Sequence, residues 1–61
     1  MNKKIKCPCC GKSLVDEYDI CEECLWENDF QQLKNPDLRG GANEMSLNEA
    51  REAYRNGKEV K

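Results

Sequence analysis

The C-terminal third of the chain carries the clearest repeat of apolar positions. Four residues recur there on one face of a helix: Leu47, Ala50, Ala53 and Tyr54. Ser46 and Glu49 form a capping box, in which each side chain satisfies a backbone N–H group at the start of the helix. Gly57 stands where a glycine commonly ends a helix. The pattern therefore predicts a helix over residues 46–57.

The N-terminal half contains short segments that favour strands. Lys3–Lys6 and Lys12–Val15 are each predicted to form one short strand. Tyr18–Ile20 is predicted to pair with Lys12–Val15 across a tight turn at Asp16-Glu17, and a short helical turn is predicted near Asp29–Leu33. Together with the C-terminal helix, these elements make a small α+β fold with a short β-hairpin.

The chain is too small and too polar to depend on a hydrophobic core alone. Charged residues make up 36% of the 61 residues and aromatic residues only 7%, so few large apolar side chains remain to be buried. A core of this size rarely contributes more than about 3–5 kcal/mol, and such domains usually need a disulfide or a metal as a staple.

The cysteines decide between these two staples. Five are present, and an odd number fits a disulfide framework poorly. The segment Met1–Lys6 has positive charge but no apolar stretch behind it, as a secretory signal would have. No run approaches the roughly 20 apolar residues that cross a membrane. The chain is therefore expected to be cytoplasmic, where thiols stay reduced and paired cysteines favour metal ions.

Two cysteine pairs have the spacing of a zinc site. Cys7 and Cys10 are separated by two residues, ten residues follow, and Cys21 and Cys24 repeat the same spacing. Each pair can direct two thiolates at one ion, and four thiolates close a tetrahedral shell with Zn–S distances of about 2.3 Å. Histidine is absent from the sequence. Because a closed shell has no open position, the spacing predicts one structural Zn²⁺ per chain and no enzyme activity.

The fifth cysteine leaves an alternative open at the first pair. Cys9 could replace Cys10 as a ligand, but a single residue between Cys7 and Cys9 leaves little room for both thiolates to reach the same ion. Pro8 and Gly11 favour the wider turn, since proline fixes φ and glycine permits a positive φ. The second pair, Cys21-Glu22-Glu23-Cys24, lacks both of these aids.

Turn signals divide the chain into parts of one domain that covers residues 1–61. Asn35-Pro36-Asp37 and Gly40-Gly41 are strong turn signals and mark a connector. The residues after Gly57 are predicted to be frayed, as chain ends commonly are. The parts are, in order, a metal-binding unit (3–29), the connector (30–45), the helix (46–57) and a tail (58–61).

Four motifs follow one another along the chain. They are Cys7-Pro8-Cys9-Cys10-Gly11, then Cys21-x-x-Cys24 with Trp26-Glu27-Asn28-Asp29, then Gly40-Gly41-Ala42-Asn43, and finally Ser46-Leu47-Asn48-Glu49-Ala50-Arg51. In this order they resemble the bacterial cysteine-rich CPCC family, over nearly the whole chain. The resemblance implies a small metal-stabilised fold with zinc-ribbon or rubredoxin-like knuckles, and it implies little about function. Asn28 stands where the family pattern leads us to expect an acidic residue.

Charge is divided between two adjacent segments. Residues 1–12 carry four lysines and no acid, whereas residues 13–29 carry seven acids and no base. This acidic run disfavours a polyanionic partner such as nucleic acid. The candidate partner surface consists of the second cysteine pair and the residues after it: Glu22, Glu23, Trp26, Glu27 and Asp29. Trp26 either packs over the metal site or serves as an exposed anchor for a partner.

The sequence indicates a scaffold more clearly than it indicates a partner. The leading hypothesis is a zinc-stabilised, monomeric module that presents its acids to a protein with a basic surface. One alternative is a zinc ribbon that binds nucleic acid, for which the basic residues are few: Lys3, Lys4, Lys6 and Lys12. Another is electron transfer through iron in the same site, because rubredoxins share the Cys-Pro-x-Cys-Gly turn. No membrane association is expected.

Overall fold

The computed structural model describes residues 4–61, which form two short strands and two helices. The strands are Ile5–Lys6 (β1) and Leu14–Val15 (β2), and the helices are Phe30–Lys34 (α1) and Leu47–Arg55 (α2). This arrangement confirms the predicted small α+β fold. Within the part of the chain that the structure describes, no helix is long and apolar enough to cross a membrane.

The two strands form an antiparallel hairpin that carries the first cysteine pair in its loop. The paired residues are Ile5 with Val15 and Lys6 with Leu14. The Cys7 N–H extends the ladder by donating to the Ser13 carbonyl at 2.8 Å. The hairpin therefore leads directly into the first cysteine turn. The predicted start of the first strand at Lys3 lies outside the described residues.

The segment Tyr18–Ile20 does not pair with Lys12–Val15, so that part of the prediction is wrong. Asp16 and Asp19 close a tight turn, in which the Asp19 N–H donates to the Asp16 carbonyl at 3.1 Å and the Asp16 N–H donates to the Asp19 carboxylate at 2.9 Å. Beyond this turn Ile20 forms an isolated antiparallel bridge with Glu27. The chain after the turn thus pairs with the residues that follow the second cysteine pair.

Helix α1 confirms the helical turn predicted near Asp29–Leu33 and lies inside the segment predicted as a connector. Asp29 caps it by accepting a hydrogen bond from the Gln31 N–H at 2.8 Å. The other carboxylate oxygen accepts from the Ala42 N–H at 3.0 Å. The N–H groups of Ala42 and Gln31 hold the pKa of the Asp29 carboxyl below its usual value. The carboxylate thereby joins the start of the connector to its end.

Helix α2 confirms the predicted C-terminal helix and its capping box. The Ser46 hydroxyl accepts from the Glu49 N–H at 3.1 Å, and the Glu49 carboxylate accepts from the Ser46 N–H at 2.9 Å. Gly57 follows the last turn with φ of 71°, as a glycine at a helix end does. The buried residues of the helix face the core: Leu47, Ala50 and Ala53.

The predicted frayed tail is wrong. Val60 is only 8% exposed and belongs to the core. The Lys58 N–H donates to the Ala53 carbonyl at 2.7 Å, and the Lys61 carbonyl accepts from the Glu44 N–H at 2.5 Å. The tail is held because burial of the apolar Val60 side chain stabilises its position against the core.

The core joins the cysteines to the inner face of α2. Its largest fully buried side chains are Trp26, Leu47, Gln32 and Val15. Gln32 is polar, but its amide donates to the carbonyls of Leu38, Asn43 and Met45 at 3.0–3.2 Å. These hydrogen bonds satisfy backbone carbonyls in the connector, which has few apolar residues of its own.

Candidate metal centre

Four of the five cysteine sulfurs converge on one point. The Sγ atoms of Cys7, Cys10, Cys21 and Cys24 all lie within 4.8 Å of one another. The distance from Cys7 to Cys24 is 3.5 Å, and that from Cys10 to Cys21 is 3.6 Å. Two sulfurs on a tetrahedral shell with Zn–S bonds of about 2.3 Å lie about 3.8 Å apart. The four sulfurs are therefore positioned to bind one metal ion.

Two tight turns, one in each pair, bring these sulfurs together. In the first turn the Gly11 N–H donates to the Cys7 carbonyl at 2.8 Å, and in the second the Leu25 N–H donates to the Cys21 carbonyl at 2.9 Å. Gly11 has φ of 70° and Leu25 has φ of 71°. The sequence did not predict this conformation for Leu25, since a leucine at positive φ has no sequence signal.

Hydrogen bonds to sulfur orient the thiols within each turn. The Lys12 N–H donates to Cys10 Sγ at 3.4 Å, and the Glu23 N–H donates to Cys21 Sγ at 3.4 Å. The Ser13 hydroxyl lies 3.0 Å from Cys21 Sγ and donates to it when the sulfur is a thiolate. Donors of this kind stabilise the charged form that binds a metal.

Burial and these donors set the acidity of the thiols. Burial raises the pKa of Cys10 and of Cys24. Burial also raises the pKa of Cys21, but hydrogen bonds from the Ser13 hydroxyl and the N–H groups of Cys24 and Glu23 outweigh it and lower that pKa to about 6. Since a metal binds thiolates, a cation entering this cluster displaces the protons of the less acidic thiols.

Cys9 is not among the four converging sulfurs. It is half-buried and packs against the core. Burial raises the pKa of its thiol to about 11, and neighbouring Cys7 and Cys10 act in the same direction. Of the two alternatives at the first pair, the structure brings Cys10 to the cluster and leaves Cys9 beside it.

Only some residues of the predicted partner surface are exposed to solvent. Glu22 and Glu23 are exposed and Glu27 is half-buried. Trp26, however, is 0% exposed and Asp29 only 5%. Trp26 packs in the core with the cysteines, which agrees with the packing alternative and excludes the exposed anchor. Asp29 is occupied as the cap of α1, so both residues are withdrawn from the candidate surface.

Asn43 has a structural role on the far side of the second cysteine pair. Its side-chain oxygen accepts from the Glu27 N–H at 2.9 Å, and its amide donates to the Glu27 carbonyl at 2.8 Å. The side chain thus pairs with this segment as a neighbouring strand would. Its partner lies 16 residues away in the sequence, so no local pattern identifies this role.

Asn28 also contributes to this support. It is fully buried, and its side-chain amide donates to the Asp16 carbonyl at 2.9 Å. A carboxylate at this position could not make that bond, because it has no N–H to donate. The amide explains how the chain accommodates Asn28 where we expected an acidic residue.

Comparison with known families gives one match. The model of the cysteine-rich CPCC family matches residues 5–57, which include both cysteine turns and helix α2. The comparison with curated proteins gives no match.

Proposed function

This chain belongs to the cysteine-rich CPCC family, and on that premise we propose that it is a zinc-stabilised scaffold that binds another protein. The observation that carries the proposal is the set of four converging thiols. Four protein ligands complete a tetrahedral shell and leave no position for substrate or water. A site of this kind contributes stability rather than catalysis, so the proposed role is not that of an enzyme.

Zinc is the metal we propose. Thiolate ligands are soft donors that suit zinc and iron, and four-sulfur tetrahedral sites are typical of both. The domain is small and depends on its staple, for which a redox-inactive ion is well suited. The same requirement for reduced thiols supports a cytoplasmic location. A red protein that contains iron would instead support the electron-transfer alternative.

The binding role is supported by what the scaffold displays. Glu22 and Glu23 lie exposed within the second cysteine turn, in a segment with seven acids and no base. Zinc bound by four thiolates adds two negative charges beneath them. Grouping like charges opposes folding, whereas a basic partner would gain an increased association rate from them. We therefore assign the partner a basic surface.

Charge reversal tests the proposed function. The variant Glu22→Lys with Glu23→Lys should bind a partner recovered from the source cells more weakly and with a smaller dependence on salt. The matched control is Glu52→Lys with Glu59→Lys, which reverses two exposed acids elsewhere and should bind as the parent does. Metal content and circular dichroism establish that both variants are folded. Unchanged affinity and salt dependence in the first variant would refute the binding role.

A further inference from the structure

A groove lined by both charged and apolar side chains lies beside the hairpin, on the side of the second cysteine pair. We name it the β2 groove; it has a volume of about 390 Å³, and its lining includes Lys4, Leu14, Asp19, Ile20 and Glu22. Leu14 is 62% exposed and Ile20 is 61% exposed. Most of the apolar area of these two side chains remains in water, so they contribute little to folding.

The backbone of β2 is unpaired where it borders this groove. The Cys7 N–H bonds the Ser13 carbonyl, so residues 7 and 13 form a hydrogen-bonded pair. Pairs of this kind alternate along an antiparallel ladder, which makes Lys6 and Leu14 a non-hydrogen-bonded pair. The N–H and carbonyl of Leu14 consequently point away from β1, and within residues 4–61 they form no backbone hydrogen bond outside the hairpin.

Ile20, which also lines the groove, likewise has unpaired backbone groups. The bridge between Ile20 and Glu27 is flanked by hydrogen bonds from Cys21 to Trp26 and from Asn28 to Asp19. The backbone groups of Ile20 and Glu27 therefore point outward from the bridge. Those of Glu27 bond the Asn43 side chain, whereas those of Ile20 have no partner among the described residues.

Two strained residues lie in the same stretch of chain. Tyr18 has φ of 63° and Leu25 has φ of 71°, a conformation that costs a residue other than glycine roughly 1–2 kcal/mol. Tyr18 is 55% exposed and Leu25 is 64% exposed, so burial of the side chain does not offset the strain. Backbone strain clusters at functional sites, and these two residues flank, in the sequence, the groove residues Ile20 and Glu22.

The charges of the groove select among possible occupants. Asp19 and Glu22 are acidic and Lys4 is the one basic residue among those that line it. An extended segment that alternates apolar and basic residues would place its apolar side chains between Leu14 and Ile20. Its basic side chains would lie near the two carboxylates, and its backbone would bond the free edge of β2.

We propose that the β2 groove binds an extended basic and apolar segment of a partner protein by strand addition along β2. The inference rests on the proposed function and names the site and the chemistry of the partner. Because β2 has two residues, main-chain bonds would be few. Affinity would depend mainly on the apolar contacts with Leu14 and Ile20 and on the acids.

Synthetic octapeptides of alternating lysine and valine test this proposal on the zinc-loaded full chain. Addition of the peptide should shift the amide resonances of Leu14 and Ile20 and slow their hydrogen exchange. The same peptide with glutamate in place of lysine should not bind at about 1 mM, nor should one with glycine in place of valine. Failure of the lysine–valine peptide to bind, or equal binding of the glutamate peptide, would overturn the proposal.

Variants locate the binding. Leu14→Lys and Ile20→Lys should each weaken peptide binding at least about tenfold, whereas Leu38→Lys, at another partly exposed leucine, should not. Zinc content verifies the fold. Unchanged peptide binding by the first two variants would overturn the proposal that the peptide binds in the β2 groove. Sedimentation that shows the parent chain to be a dimer, and the Leu14→Lys and Ile20→Lys variants to be monomers, would also overturn it. If those variants still bind the partner protein and the Glu22→Lys, Glu23→Lys variant does not, the groove is wrong and the proposed function stands.

Discussion

The first cysteine turn, Cys7–Gly11, and the second, Cys21–Leu25, adopt the same backbone shape from different sequences. Each ends in a residue at φ near 70° whose N–H bonds the carbonyl of the first cysteine. The first turn has the residues that this shape favours, Pro8 and Gly11. The second has two glutamates and a leucine. The comparison indicates that contacts outside the second turn, rather than its local conformational preference, hold it in this shape.

The two turns also differ in what supports them. The first is held by α2, because Arg51 donates to the Pro8 carbonyl at 2.8 Å and Lys12 lies 5.4 Å from the centre of the Tyr54 ring. The second is followed by buried Trp26 and by the Asn43 side chain. The first turn is therefore tied to α2 by exposed side chains in addition to its buried Cys7, whereas the second runs directly into the core.

Loss of a ligand should have the largest effect, and it should be equal in the two turns. Cys10→Ser and Cys24→Ser each remove one of four thiolates, and structural zinc contributes roughly 10–16 kcal/mol of apparent binding energy in small domains. Both variants should lose cooperative unfolding in thermal denaturation followed by circular dichroism. Cys9→Ser is the matched control and should unfold cooperatively with one metal bound. If Cys9→Ser unfolds the chain and Cys10→Ser does not, the first pair is assigned wrongly.

Substitution of the first residue after each turn should show that the two turns are supported differently. Trp26→Ala should lower the free energy of unfolding by about 3–5 kcal/mol, as for a fully buried tryptophan. Lys12→Ala, at the equivalent position of the first turn, should lower the free energy of unfolding much less, since Lys12 is an exposed cation beside a ring. Calorimetry on the metal-loaded proteins measures both, and Trp26→Phe provides a milder variant if the alanine variant does not fold. Similar losses at the two positions would contradict the proposed difference in support.

A hydroxyl donor distinguishes Cys21 from the other thiols. Ser13→Ala removes the group that lies 3.0 Å from Cys21 Sγ. Loss of a group that orients a metal ligand typically lowers metal affinity by 10- to 100-fold, so we expect about a tenfold loss at pH 7. Competition with a chromophoric chelator measures it. An unchanged affinity would mean that the hydroxyl does not donate to the bound thiolate.

The residues that end the two turns should respond with opposite sign. Gly11→Ala should destabilise the chain by about 1 kcal/mol, because an alanine at positive φ is strained. The nearest heavy atom to the added Cβ is the Cys7 carbonyl oxygen at 4.0 Å, so no clash contributes. Leu25→Gly should stabilise the chain by up to about 1 kcal/mol, since it relieves the same strain. Destabilisation by Leu25→Gly would show that the leucine contributes to folding and would remove the argument that it is strained for binding.

Local signals made much of this structure predictable. The capping box of Ser46 and Glu49 marks the start of α2, and Gly57, two residues after Arg55, marks its end. The regular spacing of four cysteines identified the converging thiols, since two two-residue turns and one ion leave little freedom. In each case the interacting groups are close in sequence or converge on one candidate metal site.

The features that were not predicted depend on contacts between distant residues. Ile20 pairs with Glu27 because the Asp16–Asp19 turn redirects the chain, and no hydrophobic pattern in so short a segment specifies that partner. Val60 is buried against residues from the rest of the chain, whereas its neighbours are polar. Trp26 could have been buried or exposed until the position of the core was known. The sequence therefore defines the metal site more closely than it defines the surface around it.

The central claim is that one metal ion, held by four thiolates, stabilises this fold. Native mass spectrometry with elemental analysis of the purified protein measures it directly, before and after a strong chelator is added. We expect one zinc per chain, and we expect the helical circular dichroism signal to be lost when the zinc is removed and recovered when it is restored. A chain that retains its helical signal and cooperative unfolding without any metal would contradict the account.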